Sequence, residues 1–380
     1  MDIVGIVTEY NPLHNGHLYQ INEVKKRFPN AVIVVVMSGN FLERGEPAIL
    51  DKWTRAKEAI LSGINLVVEL PVAFCVQPAD FFAFGALRIL KELGVQKLVF
   101  GVENADYDFA EMAQLTKRVH GDFSIYNESY AKAYQRAITQ KTGVDVSEPN
   151  NLLGLAYAKA NLKLGSFLEL IPIQRKSAEH HDRQLPVASQ IASASAIRSA
   201  VLTNKELVID FVPDLTGADL RQSKKLSWVD FWPLLKYQVL TSKIEDLSEI
   251  YGITEGLEFR LKDKLERMGP TVTFADWVSE VKSKRFTYTH LTRLATMILL
   301  QAKKEEVEQV EQNPYIRILG FDNLGQKHLN MIKKKMTFPV VSRVSQEIAA
   351  NLLSLDYRAG LVYSQLSGQR QDFGQSPFQR

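Results

Sequence analysis

Two histidines near the amino terminus carry the chemistry that this sequence suggests most directly. His14 and His17 form a His-x-Gly-His element between an apolar run, residues 3–7, and a stretch whose apolar residues recur with helical spacing. The short β-branched run predicts a strand buried on both faces, so the histidines fall at a strand-to-helix turn. A helix amino terminus offers unpaired N–H groups and partial positive charge, and imidazoles add hydrogen-bond donors. We therefore predict a phosphate-binding site, in which Gly16 leaves room for close approach.

A second element, residues 191–198, has the composition of another phosphate-facing turn. It reads Ile-Ala-Ser-Ala-Ser-Ala-Ile-Arg, so Ser195 and Arg198 would present a hydroxyl and a guanidinium near a helix amino terminus. The alternative is a serine that caps an ordinary amphipathic helix, with the arginine solvated. Two such elements in this order are more specific than either alone.

Together these elements resemble the HxGH nucleotidyltransferase superfamily, whose second signature is a Ser/Thr-rich turn followed by arginine. Further blocks narrow the resemblance to the bacterial tRNA(Met) cytidine acetate ligase family over nearly all of the 380 residues. These blocks are residues 39–48, 51–56, 149–154, 315–321 and 333–335.

The resemblance implies an activity. Members activate acetate with ATP, rather than taking acetyl groups from acetyl-CoA, and form acetyl-adenylate and pyrophosphate. The N4 amine of the wobble cytidine in elongator tRNA(Met) then attacks, giving N4-acetylcytidine and AMP. Mg²⁺ is expected with ATP, bridging phosphate oxygens. The expected partners are therefore tRNA(Met) and acetate, with no membrane and no obligate protein partner.

The resemblance also assigns roles to residues. His14 and His17 would neutralise charge developing on the phosphates, and Ser195 and Arg198 would hold the leaving pyrophosphate. Residues 7–20 match the family's ATP loop, and no protein residue is expected to ligate a metal. The expected nucleotide-binding residues are Val7, Thr8, Glu9, Tyr10, Asn11, His14, Gly16, His17, Gly101, Asn151 and Arg175. Without the resemblance the last three would be taken as a turn, a helix cap and a surface charge.

Composition agrees with a soluble globular enzyme, with 46% hydrophobic and 23% charged residues. The single Cys75 excludes an intramolecular disulfide framework and lies in an apolar stretch that predicts a buried thiol. We find no signal-peptide pattern and no apolar run long enough to span a membrane, so a cytoplasmic location is expected. His180 and His181 are adjacent and point apart on any regular element, which argues against a zinc site.

The pattern of elements predicts an α/β fold. Strands are expected at residues 3–7, 31–37, 66–70, 97–101 and 167–173, and helices at 51–62, 79–93, 109–120, 128–141 and 150–164. Such alternation predicts a Rossmann-like parallel sheet with its ligand site at the carboxyl ends of the strands.

The second half reads as mainly helical. Helices are expected at 227–243, 257–268, 274–282, 290–304 and 326–335. We therefore expect a catalytic ATP-binding domain at residues 1–203, a helical tRNA-binding domain at 204–363 and a flexible Gln/Ser/Gly-rich tail at 364–380.

Positive charge is concentrated in the second half, where a polyanion could be held. The alternative is a set of solvated helix faces. The basic residues are Lys282, Lys284, Arg285, Arg293, Arg317, Lys327, Lys333, Lys334, Lys335 and Arg343, with Phe286, Tyr288 and Tyr315 interleaved.

Two pairs of charged residues in the first half suggest further roles. Lys52 and Arg55 share one face of a predicted helix and could reach the triphosphate or the tRNA backbone. Glu43 and Arg44 lie in a glycine-flanked loop that suits a flap closing over the intermediate.

Three functions are compatible with a phosphate-binding turn of this kind. The first is the acetate ligase acting on tRNA. The second is a nucleotidyltransferase that transfers a nucleotide to a phosphorylated metabolite, which the basic second half argues against. The third is a nucleotide-regulated RNA-binding protein without turnover, which the presence of both phosphate-facing elements argues against.

Overall fold

One mixed sheet carries both sequence elements. The computed structural model describes residues 1–116, 136–141, 143–144, 147–176, 185–186, 189–203 and 206–380. Within them the sheet order is β5-β4-β1-β2-β3-β6-β7, and β8 also pairs with β6. The strands are β1 (Ile3–Thr8), β2 (Val32–Ser38), β3 (Leu66–Leu70), β4 (Lys97–Val102), β5 (Glu169–Gln174), β6 (Ile316–Phe321), β7 (Val340–Val341) and β8 (Phe378–Gln379).

Strands β1 to β5 are parallel, which confirms the predicted α/β class. The chain moves outward from β1 through β2 to β3, and then crosses to β4 on the other side of β1. The strand order therefore reverses between β1 and β4. In open α/β sheets, ligands bind at the carboxyl ends of the strands at such a reversal.

Helices cover both faces of this sheet and build most of the second half. They are α1 (Asn15–Arg27), α2 (Lys52–Leu61), α3 (Val72–Cys75), α4 (Ala79–Glu92), α5 (Phe109–Thr116), α6 (Pro149–Lys163), α7 (Ala194–Leu202), α8 (Asp214–Gln222), α9 (Trp228–Thr241), α10 (Ile244–Ser248), α11 (Leu257–Arg267), α12 (Phe274–Val281), α13 (Tyr288–Leu299), α14 (Lys304–Gln312), α15 (Asn323–Ile332), α16 (Gln346–Ala350) and α17 (Ser354–Ser367). A 3₁₀ turn spans Glu206–Phe211.

Local sequence explains most of these boundaries. Every residue of β2 and β3 is buried, as expected of apolar runs in a parallel sheet covered on both faces. Asp51 caps α2 by accepting hydrogen bonds from the Trp53 and Thr54 amides at 2.9 and 3.2 Å. The predicted buried thiol is confirmed, since Cys75 is fully buried with its Sγ 3.1 Å from the Phe41 carbonyl.

The second half is mainly helical, as predicted, but it also contains β6, a strand that the sequence analysis did not predict. This strand pairs antiparallel with β3, so residues 316–321 complete the sheet that the first half begins. The domain boundary between residues 203 and 204 stays a prediction, although β6 from the second half belongs to the same sheet as β3 from the first half. The Ile-Arg-Ile-Leu-Gly-Phe stretch is short and apolar, and its place beside β3 depends on a contact about 250 residues away in the chain.

The expectation of a flexible tail also differs from the structure. Helix α17 extends to Ser367, Gln371 and Asp372 are buried, and β8 pairs with β6. The Trp53 indole N–H donates to the Gln371 carbonyl at 2.8 Å. Polar composition suggested disorder, but these polar groups have buried partners.

Two further predictions need comment. The helix expected at 290–304 ends at Leu299, Gln301 takes a positive φ of 49°, and α14 begins at Lys304. Most of the helix expected at 128–141 lies outside the described residues, which are helical at 136–141. In the described part of the chain, no helix has both the length and the apolar character needed to cross a membrane.

Candidate nucleotide-binding site

The His-x-Gly-His element forms the amino-terminal cap of α1, directly after β1. His14 is the N-cap residue, and its Nδ1 accepts a hydrogen bond from the Gly16 amide at 3.0 Å. The His14 amide donates in turn to Nδ1 of His17 at 3.3 Å. The two rings stack with centroids 3.7 Å apart. Each imidazole is thus held by the backbone through one nitrogen only.

These bonds determine what the two imidazoles offer a ligand. Because each Nδ1 accepts from an amide, a neutral ring carries its proton on Nε2. Burial and the positive charges of Arg175 and Arg198 lower the pKa of His14 to about 3. Burial, His14 and Arg175 lower the pKa of His17 well below its usual range. At neutral pH the site therefore presents two neutral Nε2–H donors rather than two cations.

A pocket opens beside these rings and brings together residues from three strand ends. It is lined by His14, Gly16, His17, Tyr19, Gln20, Gly101, Ile173, Gln174, Arg175, Lys176, Ile191, Ala192 and Ser193. Gly101 lies within β4, and Arg175 follows β5. A Cβ on Gly16 would stand 2.8 Å from Cε1 of His14, so this glycine is required by the histidine ring itself.

Arg175 gives this pocket a cation. Its Cγ lies 3.4 Å from the point where a Cβ on Gly101 would stand. The two predicted nucleotide-binding residues, Gly101 in β4 and Arg175 after β5, are therefore neighbours. Burial lowers the pKa of Arg175, and the Glu103 carboxylate opposes that effect. A guanidinium is far more basic than neutral water, so Arg175 remains charged at neutral pH.

The second sequence element faces the same pocket through Ser193. Ser193 caps α7 by accepting from the Ala196 amide at 3.1 Å, and its Oγ lies 3.0 Å from Oγ of Ser195. Ser195 is exposed one residue into the helix. Sequence reasoning selected Ser195 and missed Ser193, although the neighbouring serine was the available signal.

Arg198 links the second element to the first. Its Nη1 donates to the Asn11 carbonyl at 2.9 Å, and its Nη2 lies 3.3 Å from a carboxylate oxygen of Glu46. The side chain is about a quarter exposed. The guanidinium thus supports the loop before His14 and places positive charge beside it.

The remaining residues of the predicted ATP loop are mostly internal supports. Val7 and Thr8 belong to β1, and the Tyr10 ring meets His17 edge-on at 4.9 Å. Asn11 Oδ1 accepts from the Ile49 amide at 2.8 Å. Glu9 Oε1 accepts from the Glu43 amide, also at 2.8 Å.

Asn151 is placed differently from its expected role. It is buried, does not line the pocket, and accepts from the Glu103 and Asn104 amides through Oδ1, at 3.1 Å each. It shapes the loop after β4. Direct contact with a nucleotide remains a prediction for this residue.

The residues that the structure describes contain no group of three or more His, Cys, Asp or Glu side chains placed to hold an ion. His180 and His181 lie outside the described residues. A larger cavity of about 480 Å³ lies between α5, α6 and β5, but it contains none of the predicted site residues.

Comparison with known proteins identifies the family. The HIGH Nucleotidyl Transferase family model matches residues 1–376. The tRNA(Met) cytidine acetate ligases of Ligilactobacillus salivarius and Limosilactobacillus reuteri are 47% and 40% identical to this chain. Each alignment covers 99% of this chain and 99% of the relative. The chain belongs to the tRNA(Met) cytidine acetate ligase family. The predicted resemblance is confirmed.

Solved structures agree with this family assignment. The apo crystal structure of Thermotoga maritima TmcAL matches with a TM-score of 0.89 at 29% identity, covering 100% of this chain and 99% of that one. The same protein bound with alpha-thio ATP matches with a TM-score of 0.87 at 28% identity and the same coverage.

In this member of the acetate ligase family, Lys52 and Arg55 are buried and bind other parts of the protein. Lys52 is 1% exposed and its Nζ donates to both Glu69 carboxylate oxygens at 2.9 Å. Arg55 is fully buried and donates to the carbonyls of Glu9 and Ser38 at 2.6 and 3.0 Å. The expectation that they contact triphosphate or tRNA is wrong, because buried backbone and carboxylate groups use their donors.

The loop at residues 39–48 is anchored rather than hinged. Thr292 and Thr296 donate their hydroxyls to the Arg44 and Gly45 carbonyls at 2.6 and 2.8 Å. Gly45 has a φ of 72°, and a Cβ there would stand 2.4 Å from the Thr292 carbonyl. Arg293 pairs with the Glu43 carboxylate. These contacts with α13 argue against a closing flap and fix the loop between the two halves.

The predicted polyanion-binding residues are not one surface. Arg317 and Tyr315 are buried, and Arg293 is paired with Glu43, so none of the three is available to a polyanion. Arg285 pairs with Glu255. The exposed members are Lys282, Lys284, Arg285, Tyr288, Lys327, Lys333, Lys334, Lys335 and Arg343.

Proposed function

We propose that this chain is an ATP-dependent acetate ligase that acetylates N4 of the wobble cytidine in tRNA(Met). One observation carries the proposal: two neutral imidazole donors, Arg175 and Ser193 converge on one pocket at the sheet reversal. Membership of the family supplies the substrates, since full-length relatives bear the name tRNA(Met) cytidine acetate ligase. A structural relative bound with alpha-thio ATP supports ATP as the nucleotide.

In the first step an acetate oxygen attacks the α-phosphorus of ATP, and the bond to the β-phosphate oxygen breaks. Acetyl-adenylate and pyrophosphate result. Such chemistry depends on positioning and charge stabilisation and needs no protein nucleophile. His14 and His17 donate through Nε2 to phosphate oxygens, while the α1 amino terminus and Arg175 add positive potential.

Pyrophosphate leaves toward the second element. Ser193 and Ser195 present hydroxyls there, and Arg198 provides a guanidinium held by Asn11. A departing pyrophosphate would compete with Glu46 for Nη2, a contact of 3.3 Å on a partly exposed side chain. Mg²⁺ bound to ATP phosphates would add charge neutralisation when present.

In the second step the cytidine N4 attacks the acetyl carbonyl carbon. The bond from that carbon to the AMP oxygen breaks, AMP leaves, and the amine loses one proton to solvent. Acetyl-adenylate is a mixed anhydride and is already activated, so the protein's contribution is to hold it close to the cytidine N4.

Nucleoside mass spectrometry after incubation with isotopically labelled acetate tests this proposal. Unmodified tRNA(Met), ATP and Mg²⁺ should yield labelled N4-acetylcytidine, and omission of ATP should abolish it. Labelled acetyl-CoA in place of acetate should give none, and chelation of Mg²⁺ should slow the reaction. Absence of labelled nucleoside from the complete mixture would overturn the proposal. ATP consumption with phosphorylated metabolites would then favour the metabolite nucleotidyltransferase.

A further inference from the structure

Exposed basic residues lie at two opposite edges of the sheet. Strand β6 runs antiparallel to β3 and pairs Phe321 with Leu66, so β6 ends where β3 begins. Helix α15 then starts at the same edge, with the Asp322 amide donating to the Asn65 carbonyl at 3.0 Å. This amino edge is opposite the edge that carries the nucleotide pocket.

Helix α15 stays at the amino edge throughout its length. His328 Nε2 lies 2.8 Å from the Leu93 carbonyl, and Ile332 lies beside Gly94, in the turn that precedes β4. The lysines that follow the helix must therefore lie on this edge too. Together with Lys327, which lies within the helix, they form what we name the amino-edge surface: Lys327, Lys333, Lys334 and Lys335.

Arg44 occupies the other edge, in the loop that follows β2. Its two acidic neighbours in this loop are neutralised from within the protein, Glu43 by Arg293 and Glu46 by Arg198. The Arg44 side chain is exposed, while its backbone carbonyl is held by Thr292. The loop therefore presents the positive charge of Arg44 to solvent on a fixed backbone.

The connection between α8 and α9 brings two more cations to this loop. The Leu226 amide donates to the Ile49 carbonyl at 3.3 Å, and the Trp228 indole N–H donates to the Gly45 carbonyl at 3.0 Å. Lys224 and Lys225 immediately precede this anchored stretch, the first exposed and the second half-buried. Sequence reasoning did not select either lysine.

An aromatic side chain completes this surface. Tyr288, at the start of α13, is 43% exposed and lies one helical turn before Thr292, the residue that binds the Arg44 carbonyl. Exposed aromatic rings stack on unpaired bases, and cations bind the phosphate backbone. Arg44, Lys224, Lys225 and Tyr288 are named the carboxyl-edge surface.

Contacts lead directly from this surface to the nucleotide pocket. Arg198 bridges Glu46, two residues from Arg44, to the Asn11 carbonyl, three residues before His14. Resting on the proposed function, we propose that tRNA binds the carboxyl-edge surface and not the amino-edge surface. RNA held there lies beside the acetyl-adenylate, whereas RNA on the amino edge would be separated from it by the sheet.

Fluorescence anisotropy with labelled tRNA(Met) tests the inference in two matched double variants. Arg44→Gln/Lys224→Gln alters the carboxyl edge, and Lys333→Gln/Lys334→Gln removes the same number of charges from the amino edge. The first should raise Kd roughly tenfold and lower the slope of log Kd against log[salt] by about 1 for each phosphate that the variant no longer neutralises. The second should leave both quantities within about twofold of wild type.

Stacking is tested by Tyr288→Ala against Tyr288→Phe. Alanine should weaken binding by about 1–3 kcal/mol of stacking free energy, roughly five- to 150-fold, and phenylalanine should restore it. In all variants, acetylation at saturating tRNA should approach the wild-type kcat, so that the change appears in KM for tRNA.

The outcomes separate this inference from the proposed function. Wild-type protein that fails to acetylate tRNA would overturn the proposed function. If wild type acetylates tRNA but the amino-edge variant loses affinity while the carboxyl-edge variant keeps it, the inference is overturned and the function stands. Equal losses in both double variants would also overturn it, since binding would then follow total charge.

Discussion

The nucleotide pocket and the buried ionic cluster beneath the tail both contain charged and polar side chains, but these side chains have different functions. Those of the pocket are available to a ligand, whereas those of the cluster bind one another. In the pocket, His14 and His17 are held through Nδ1, so Nε2–H is left for a ligand. In the cluster, every charge meets an opposite one inside the protein. Its members are Lys52, Glu69, Arg317 and Asp372, all at most 3% exposed.

Distances in the cluster show how tightly it joins distant parts of the chain. Arg317 Nη1 lies 2.7 Å from Asp372 Oδ1, and its Nε lies 3.5 Å from Glu69 Oε2. Lys52 approaches the same Asp372 oxygen at 3.7 Å. Burial of a charge is tolerated only with such partners. The comparison teaches that a cation in a family-like block can serve a ligand site when its internal pair is partly exposed, as for Arg198, and not when the pair is fully buried, as for Lys52.

The largest effect is expected from Arg317→Met, which leaves two buried carboxylates with less compensation. Breaking a buried pair typically costs about 3–5 kcal/mol in free energy of unfolding. Urea denaturation monitors this. The matched surface change, Arg267→Met, breaks an exposed pair with Asp263 and should cost no more than about 0.5 kcal/mol. Equal losses in the two variants would contradict the distinction drawn here.

The next largest effect is on catalysis, at His14. His14→Ala should lower the rate of labelled acetate incorporation by about 10²–10³, because one well-placed donor to developing charge is removed. His14→Asn separates the roles, since asparagine is a good N-cap but lacks the Nε2–H group. We expect it to keep the thermal midpoint and lose the rate. Retained rate in His14→Asn would mean that capping is the histidine's main contribution.

A smaller loss of stability is expected from Asp372→Asn. The change removes the carboxylate that the tail supplies to Arg317 and leaves the cation partly uncompensated, at a cost of about 1–3 kcal/mol. Proteolysis of residues near the carboxyl terminus should become faster. Ser376→Ala, on an exposed residue of the same segment, is the control. An unchanged proteolysis rate would favour the flexible tail that composition suggested.

Glu58 provides the last test, a pH dependence whose slope is small at any one pH. It is buried between α2 and α8, and burial, then the nearby Asp219, raise its pKa to about 8 from 4.5, while Arg55 and Thr216 partly oppose this. Between those values the native state holds a proton that the unfolded state has released. Its stabilising contribution is thus present below pH 4.5 and lost as pH rises through about 8.

The Glu58→Gln variant should flatten that pH dependence by at most about 1.4 kcal/mol per pH unit. Thermal midpoints between pH 5 and 9 measure it, relative to wild type. Parallel midpoint curves for the two proteins would show that Glu58 does not hold the proton.

Local patterns predicted the first half well for identifiable reasons. Short β-branched runs gave β1 to β4 within one residue at each end, because strands buried on both faces need continuous apolar sequence. The His14 cap was visible as a turn between two periodic segments. The placement of Gly101 and Arg175 in the same pocket as His14 followed from the family resemblance and agrees with the strand ends that meet there.

Patterns failed where a residue's partner lay far along the chain. Lys52 and Arg55 share a helix face that was expected to reach phosphate, but their partners come from β3 and from the two loops that contain Glu9 and Leu50. Asn151, which the family resemblance selected, accepts from the amides of the loop after β4, and its contact with a nucleotide stays a prediction. Strand β6 carries no signal that distinguishes it from a buried helix segment of the same length.

By itself, the sequence determined the α/β order of the first half, the phosphate-facing turn at residues 14–17 and the family. These depend on nearest neighbours: apolar period, capping groups and motif spacing. Only the tertiary structure decided which charges are internal, that the tail is bound, and that exposed basic residues lie at two edges of one sheet. Those outcomes depend on pairings such as Arg317 with Asp372 and β6 with β3, because burial is a property of the whole packed chain and no local pattern encodes it.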